Sequence, residues 1–166
     1  GGTSLATADR RRHAVAHVAA ERASGHQVVV VASAMGRRGD PYATDTLLDL
    51  LRTDGGRVDP QHYDLMFTCG EAISVAVLAR DLQQAGISAV GLTSIQAGIY
   101  TDGRHVEADI VEVDTCRLAA LLAEDRVPVV AGGQGAARGT LDYTTLGRGG
   151  SDTSAVALGV ALGALR

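Results

Sequence analysis

Residues 28–33 read VVVVAS, a continuous run of mostly β-branched residues followed by a loop of small ones. A strand with one face in water alternates apolar and polar residues, whereas a strand buried on both faces does not. Burial on both faces is typical of a parallel sheet that has helices packed on each side. The run therefore predicts a buried strand of a parallel sheet.

Helical and strand-like segments alternate along the rest of the chain. Residues 8–24 have apolar positions at helical spacing and stop at Gly25, and a second helix is predicted over 71–85, closed by Gly86. The strands alternate with helices, which predicts an α/β domain with a parallel sheet covered on both faces. The other predicted elements are strands at 88–93, 108–113 and 128–133, a short helix TLLDLL capped by Thr44 or Asp45, and a last helix from about 151 to 165.

Composition narrows the class of protein. Hydrophobic residues make up 46% of the 166 residues, with no Trp and one Phe, so a single domain with an aliphatic core is expected over 1–166. The formal net charge of −4 argues against nucleic acid as the main partner. No apolar run reaches the ~18–20 residues of a membrane span, and no signal peptide is recognised. We expect a cytoplasmic protein.

Histidine and cysteine give no sign of a metal centre. His13 and His17 are four residues apart on a predicted helix, but no third ligand accompanies them. Cys69 and Cys116 suggest neither a disulfide framework nor a metal site, and reduced thiols are expected.

The stretch TTLGRGGSDTSA (144–155) places three glycines around Arg148, at the start of the predicted last helix. Glycines let the backbone approach a ligand closely, and the free N–H groups at a helix start attract anions. Arg148 adds a guanidinium fork that suits a carboxylate or a phosphate. The alternative is a plain helix cap by Ser151 or Asp152, which leaves Arg148 and the glycines unexplained.

Three further segments carry candidate ligands. Glu71 follows Gly70 at a predicted helix start, where it either receives a ligand ammonium group or is simply an acid favoured by the helix dipole. Ser33 ends a buried strand, where ligands bind in such sheets, and Thr44 is either a ligand hydroxyl or a cap. The pair Gly1–Gly2 either cradles a phosphate or is the remnant of a tag.

These motifs come in the order seen in aspartokinases, and the chain resembles their catalytic domain, a branch of the amino acid kinase superfamily. The resemblance covers essentially all 166 residues. It implies a three-layer αβα sandwich with a mainly parallel sheet, and transfer of the γ-phosphoryl group of Mg-ATP to the β-carboxylate of L-aspartate. The motifs are GGTS (1–4), VVVVASAMG (28–36), TDTLLDLL (44–51), CGEAIS (69–74), QAGIYTD (96–102), VPVVAGGQG (127–135) and TTLGRGGSDTSA (144–155).

The resemblance also implies roles for the candidate residues. Arg148 would grip a carboxylate of the amino acid, and Glu71 would hold its ammonium group. Asp152 would organise the site beside the transferred phosphoryl group, so that Arg148 and Asp152 are the expected catalytic residues. The remaining implied contacts are Ser33, Thr44, Gly149, Gly150 and Ser151 to the substrate, and Gly1, Gly2 and Ser4 to the phosphates.

The sequence departs from the family pattern in three places. The family's first motif is Lys-Phe-Gly-Gly-Thr-Ser, whereas this sequence opens at Gly-Gly, without the lysine or the strand that carries it. It ends at Arg166, ahead of the nucleotide-binding half and the regulatory ACT domains of family members. An aromatic residue is usual where Gly133 stands.

Aspartokinase activity is the first expectation, and two alternatives stay open. One is a truncated non-kinase derivative that uses the same pocket, without ATP, for an isomerisation, cyclisation or elimination of a small acid in specialised metabolism. The other is a regulatory subunit of a full-length kinase. In each case we expect a small amino acid or related carboxylate as ligand. We also expect a homo-oligomer or a partner chain that supplies the missing half.

Overall fold

The computed structural model describes residues 2–52 and 55–164 of the chain. Single 3₁₀ turns lie at Gly2–Ser4 and Leu50–Arg52. The helices are α1 (Ala8–Ala23), α2 (Thr44–Asp49), α3 (Pro60–Gln84), α4 (Cys116–Ala123) and α5 (Gly150–Leu162). The strands are β1 (Val30–Ala32), β2 (Ala89–Leu92), β3 (Ile99–Thr101), β4 (Ile110–Val113), β5 (Val127–Ala131), β6 (Gln134–Ala137) and β7 (Tyr143–Thr145).

The central sheet has three parallel strands in the order β1-β5-β2. Strand β5 lies in the middle, and every one of its residues is buried. Val127 and Val129 pack in a cluster with α1 and α3, whereas Val130 packs in a second cluster with α4 and α5. Helices therefore cover both faces of the sheet, and the predicted three-layer αβα sandwich is confirmed.

A second sheet has four strands in the order β4-β3-β6-β7. Strands β3 and β6 are parallel, whereas β4 pairs with β3 and β7 pairs with β6 in antiparallel fashion. Of these four strands only β4 lies in a segment predicted as a strand. The other three have three or four residues each, which is too short for a recognisable alternation of apolar and polar positions.

Helix α3 corrects the prediction of a helix over 71–85. It begins at Pro60, where Asp59 caps it by accepting a hydrogen bond from the Gln61 amide at 2.8 Å. Gly70 lies inside this helix and does not start it. A β-carbon at Gly70 would lie 2.9 Å from Ala34 Cβ, so the glycine allows α3 to pack closely against the segment that follows β1.

The other predicted elements lie close to the observed ones. Helix α1 ends one residue before its predicted end, and the chain then turns through Gly25 at a φ of 83°. Strands β1 and β2 and helix α5 are shorter than predicted, and helix α4 had no sequence prediction. Within the residues that the structure describes, no helix is long and apolar enough to cross a membrane.

Candidate functional site

Strand β1 delivers Ser33 and Ala34 to the carboxyl edge of the central sheet, where hydrogen bonds bring Ser151, Glu71 and Thr44 to the same segment. Ser33 Oγ donates a hydrogen bond to Ser151 Oγ at 2.8 Å, which joins the strand end to the first turn of α5. On the other side, the Ala34 amide donates to Glu71 Oε1 at 3.2 Å. The segment that follows β1 thus connects the glycine-rich turn before α5 with helix α3.

The glycine-rich turn enters α5 through a left-handed backbone. Gly149 occupies the N-cap position with a φ of 75°, a conformation that favours glycine. Its carbonyl oxygen accepts a hydrogen bond from the Asp152 amide at 2.9 Å. The alternative of a cap by Ser151 or Asp152 is therefore wrong, because both residues lie inside the first turn and the cap position has no side chain.

Arg148 stands in this turn as an unpaired cation. Its side chain is exposed, and it makes no ion pair or hydrogen bond with any residue of 2–52 and 55–164. Asp152 is likewise exposed in the first turn of α5, where a negative charge is favoured by the helix dipole. The structure shows no bond between Arg148 and Asp152, so both are available to a ligand.

The turn is pressed against the end of β5 by close backbone approach. A β-carbon at Gly150 would lie 2.9 Å from Gly133 Cα, and one at Gly132 would lie 2.9 Å from Ser151 Cβ. The Gly133 amide donates to Ser154 Oγ at 3.0 Å, one turn into the helix. These contacts fix the start of α5 against the sheet, with its first-turn N–H groups at the carboxyl edge.

Glu71 is a buried carboxylate with one unsatisfied oxygen. Its side chain is 2% exposed, and Oε1 accepts from the Ala34 amide and from Thr44 Oγ1, the latter at 3.5 Å. Within the described part of the chain, Oε2 has no hydrogen-bond partner. Burial raises the pKa of Glu71 to about 7, and the bonds from Ala34 and Thr44 oppose that rise. A cationic ligand group would supply what Oε2 lacks.

Two sequence interpretations at this end of the site are corrected. Glu71 lies in the middle of α3, so the alternative of an acid placed at a helix start is wrong. Thr44 is the first residue of α2, whose N-cap position is Ala43 and has no side-chain bond, so neither Thr44 nor Asp45 caps that helix. The Thr44 hydroxyl instead faces Glu71.

The GGTS motif reaches the site only in part. Gly2 accepts a hydrogen bond from the Gly36 amide at 3.0 Å, and a β-carbon at Gly2 would lie 2.7 Å from the Ala34 carbonyl oxygen. Ser4 is exposed, and its hydroxyl has no bond within 2–52 and 55–164. Gly1, predicted to contact phosphate, lies outside the described residues.

Comparison with known proteins identifies the family to which the chain belongs. The model of the amino acid kinase family matches residues 1–166. The chain belongs to that family. It is 48% identical over 164 residues to aspartokinase 1 of Bacillus subtilis (strain 168), which covers 99% of this chain and 40% of that protein. It is 45% identical over 164 residues to the aspartokinase of Mycobacterium tuberculosis (strain ATCC 25618 / H37Rv), with 99% and 38% covered.

Solved structures show the same amino acid kinase fold. An aspartate kinase from Synechocystis superposes with a TM-score of 0.79 and 40% identity, covering 99% of this chain and 26% of that chain. Aspartokinase III of E. coli, in complex with aspartate and ADP, superposes with a TM-score of 0.78 over 100% of this chain and 46% of that one. At 21% identity the latter likeness shows the fold alone. The chain spans about two fifths of the length of the curated relatives.

One cluster in this amino acid kinase domain was missed by the sequence interpretation. Asp64 of α3 is fully buried and accepts hydrogen bonds from Thr145, Val106 and His105. A lone aspartate in HYDLMF has no neighbour in sequence that signals such a role, because its three partners lie more than 40 residues away.

Among residues 2–52 and 55–164, no group of three His, Cys, Asp or Glu side chains is placed so that it could hold a metal ion. His13 and His17 are both exposed on α1, and Cys69 and Cys116 are free thiols on the surface. The groups of the site that could contact a ligand are therefore the Glu71 carboxylate, the Arg148 guanidinium and the backbone at the start of α5.

Proposed function

We propose that this chain forms the amino-acid-binding part of an aspartokinase, which transfers the γ-phosphoryl group of ATP to the β-carboxylate of L-aspartate. One observation carries the proposal. Among residues 2–52 and 55–164, one oxygen of the buried Glu71 carboxylate and the Arg148 guanidinium have no partner, and both residues stand on segments that are bonded to the end of β1. This pairing of opposite charges suits an amino acid, and the identity of 48% to an aspartokinase supports aspartate.

The ammonium end of the substrate is assigned to Glu71. An ammonium group donates three hydrogen bonds, and a buried carboxylate without a partner binds such a cation strongly because little water competes. Thr44 and Ala34 orient the carboxylate by bonding Oε1, which leaves Oε2 for the ligand. Binding of the cation would also restore the ionised state that burial disfavours.

The carboxylate end is assigned to Arg148 and the start of α5. A guanidinium binds a carboxylate through two parallel hydrogen bonds, and the first-turn amides of a helix favour the same charge. Ser33 and Ser151 hold each other at 2.8 Å and offer their remaining hydrogen-bonding capacity to the same ligand. Gly149 and Gly150 are proposed as backbone contacts to it; Gly149 is exposed, whereas Gly150 is buried against Gly133.

The phosphoryl group is assigned to the region where Gly2 meets the segment after β1. Gly2 has no side chain and packs against this segment, with its β-carbon position 2.7 Å from the Ala34 carbonyl oxygen, and the support for phosphate here is the GGTS motif that the chain shares with aspartokinases. Gly1 and Ser4 are proposed as further phosphate contacts, and the exposed carboxylate of Asp152 fits the magnesium or the family's cationic groups. Mg-ATP supplies the transferred phosphoryl group. Glu71 and Arg148 hold the amino acid so that its acceptor carboxylate faces that group.

We propose that the nucleotide-binding half lies outside residues 1–166, which form one amino acid kinase-like domain. The curated relatives are about two and a half times as long as the aligned part, which supports this division. The nucleotide-binding half belongs either to further sequence of the same polypeptide or to a partner chain.

Calorimetric titration tests the proposal. L-Aspartate should bind the 166-residue protein, and Arg148→Ala should remove detectable binding. The matched control is Arg117→Ala, because Arg117 is an exposed arginine on α4, a helix that carries none of the proposed contacts. Unchanged affinity in Arg148→Ala would refute the assignment of the carboxylate. A second series titrates Mg-ATP into the same protein. If the protein binds aspartate but no phosphoryl group is transferred after the nucleotide-binding half has been added, the non-kinase alternative is favoured.

A further inference from the structure

Asp64 is a fully buried acidic side chain that the proposed reaction does not use. Thr145 Oγ1 donates to its Oδ1 at 2.6 Å, and the Val106 amide lies 3.1 Å from both carboxylate oxygens. His105 Nδ1 lies 2.7 Å from Oδ2. A buried carboxylate with this many partners is fixed in place, and it fixes its partners in turn.

One partner of Asp64, Thr145, lies immediately before the glycine-rich turn. Thr145 is the last residue of β7 and precedes Arg148 by three positions. Its carbonyl oxygen accepts from the Ala108 amide at 2.8 Å, and the next residue, Leu146, donates its amide to the Gly133 carbonyl at 3.0 Å. The chain that enters the turn is thus held on three sides, and only the bond to Asp64 involves a buried charge.

The loop on the far side of Asp64 has a strained backbone that needs an anchor. Val106 has a φ of 73°, which is a rare conformation for a β-branched residue. Such conformations persist where the surroundings enforce them. Here the Val106 amide bonds Asp64, and its carbonyl oxygen lies 3.2 Å from the Thr145 hydroxyl. Asp64 therefore holds two separate segments against α3.

Asp64 and Glu71 lie on one face of the same helix. Seven residues are close to two helical turns, or about 10 Å along the axis. Helix α3 carries Glu71, which is assigned to the substrate's ammonium group. Through Asp64, the same helix anchors the segment that carries Arg148, which is assigned to the substrate's carboxylate. Because α3 is a continuous helix, it links the two ends of the site in addition to the bonds that run through the end of β1.

We propose that Asp64 is a positioning residue for substrate binding, and that it acts through Thr145 to hold the Arg148 turn at the correct distance from Glu71. This inference rests on the proposed binding of a carboxylate by Arg148. Asp64 touches neither the substrate nor the phosphate. Its role is to determine whether Glu71 and Arg148 can bind the same amino acid together.

The test compares two substitutions at one position. Thr145→Val keeps the shape of the side chain and removes the hydroxyl, whereas Thr145→Ser keeps the hydroxyl and its bond to Asp64. A hydrogen bond to a charged group changes an equilibrium constant by about ten- to a hundredfold. We expect L-aspartate affinity, measured by calorimetry, to fall about tenfold or more in Thr145→Val and to stay within about twofold in Thr145→Ser.

A purely structural role is separated by a mutant cycle. If Asp64 acts through the Arg148 turn, then Asp64→Asn and Thr145→Val should weaken aspartate binding in the parent protein. In an Arg148→Lys background, where the fork is already lost, each should cost much less. Equal losses in both backgrounds would overturn the proposal, and so would wild-type affinity in a folded Thr145→Val protein.

Amide hydrogen exchange gives a readout that needs no ligand. Exchange at the amides of Leu146 and Gly150, which donate to the Gly133 and Gly147 carbonyl oxygens, should accelerate in Thr145→Val and not in Thr145→Ser, while exchange in the middle of β5 stays unchanged. If the wild type binds no aspartate but this exchange pattern is found, the proposed function fails and the positioning role of Asp64 stands. Unchanged exchange at the Leu146 and Gly150 amides refutes the positioning role whether or not aspartate binds.

Discussion

Replacing Glu71 with glutamine should remove a large part of the pH dependence of stability. Burial raises the pKa of the Glu71 carboxyl from 4.5 to about 7, against hydrogen bonds from Ala34 and Thr44 that lower it. Between these two pH values the folded protein holds a proton on Glu71 that the unfolded chain has released. The free energy of unfolding contributed by this group is therefore fully present below pH 4.5 and is lost as the pH rises through 7.

The magnitude follows from the change in pKa. One pKa unit is worth about 1.4 kcal/mol, so the wild type should lose about 3 kcal/mol of unfolding free energy through Glu71 between pH 4 and pH 8. Glutamine does not titrate and loses none of it. All other titratable groups are common to the two proteins, so the difference between their pH profiles isolates Glu71.

Urea denaturation at closely spaced pH values from 4 to 8 measures this difference. A suitable control is Glu124→Gln, because Glu124 follows α4 with an exposed carboxylate whose nearest cation, Arg126, is 3.8 Å away. Its profile should run parallel to that of the wild type. Parallel profiles for the wild type and Glu71→Gln would refute the argument that Glu71 is held in an unsatisfied, desolvated state.

The raised pKa of Glu71 also predicts how the affinity for aspartate depends on pH. An ammonium group binds the ionised form of Glu71, so aspartate binding below pH 7 must release a proton. Affinity should therefore rise with pH up to about 7 and then level off. Calorimetry in two buffers of different ionisation enthalpy would detect the released proton. Glu71→Gln should bind aspartate weakly, with no proton release.

Three further outcomes are expected. Arg148→Ala should leave the urea midpoint unchanged, because the side chain is exposed and unpaired within the described residues, while Arg148→Lys should bind aspartate more weakly than the wild type. Gly132→Ala should destabilise by about 1–3 kcal/mol, since its β-carbon would lie 2.8 Å from a Val31 methyl, whereas Gly159→Ala, in a roomy helix position, should be neutral or stabilising by urea denaturation. Ser154→Ala strands the buried Gly133 amide and should cost about 1–3 kcal/mol by the same assay.

The sequence was a good guide wherever one strong local pattern acted alone. The run VVVVAS predicts a buried parallel strand, and β1 lies there because the apolar faces on both sides are covered by helices. Arg148 and its glycines predict a turn at a helix start, which the left-handed Gly149 confirms. These features depend on neighbouring residues, so the chain reveals them without a fold.

It was a poor guide where distant contacts decide the outcome. Gly70 looks like the start of a helix, but α3 runs through it because the missing side chain allows the close approach of Ala34, 36 positions away. Asp64 looks like an ordinary surface acid, and its burial depends on partners that follow it by about 40 to 80 residues. No local pattern encodes such pairings.

The site owes its form to backbones that approach one another more closely than side chains would allow. Gly70 brings α3 against Ala34, which is why the Ala34 amide can reach Glu71. Gly2 brings the N-terminal turn against the Ala34 carbonyl oxygen on the other side. An added β-carbon at Gly70 would meet Ala34 Cβ, and one at Gly2 would meet the Ala34 carbonyl oxygen, so each would push a separate element away from the same residue. Arg148 is exposed and can be removed with little effect on the fold, whereas substitution of Gly2 or Gly70 should disturb both the fold and the binding of the ligand.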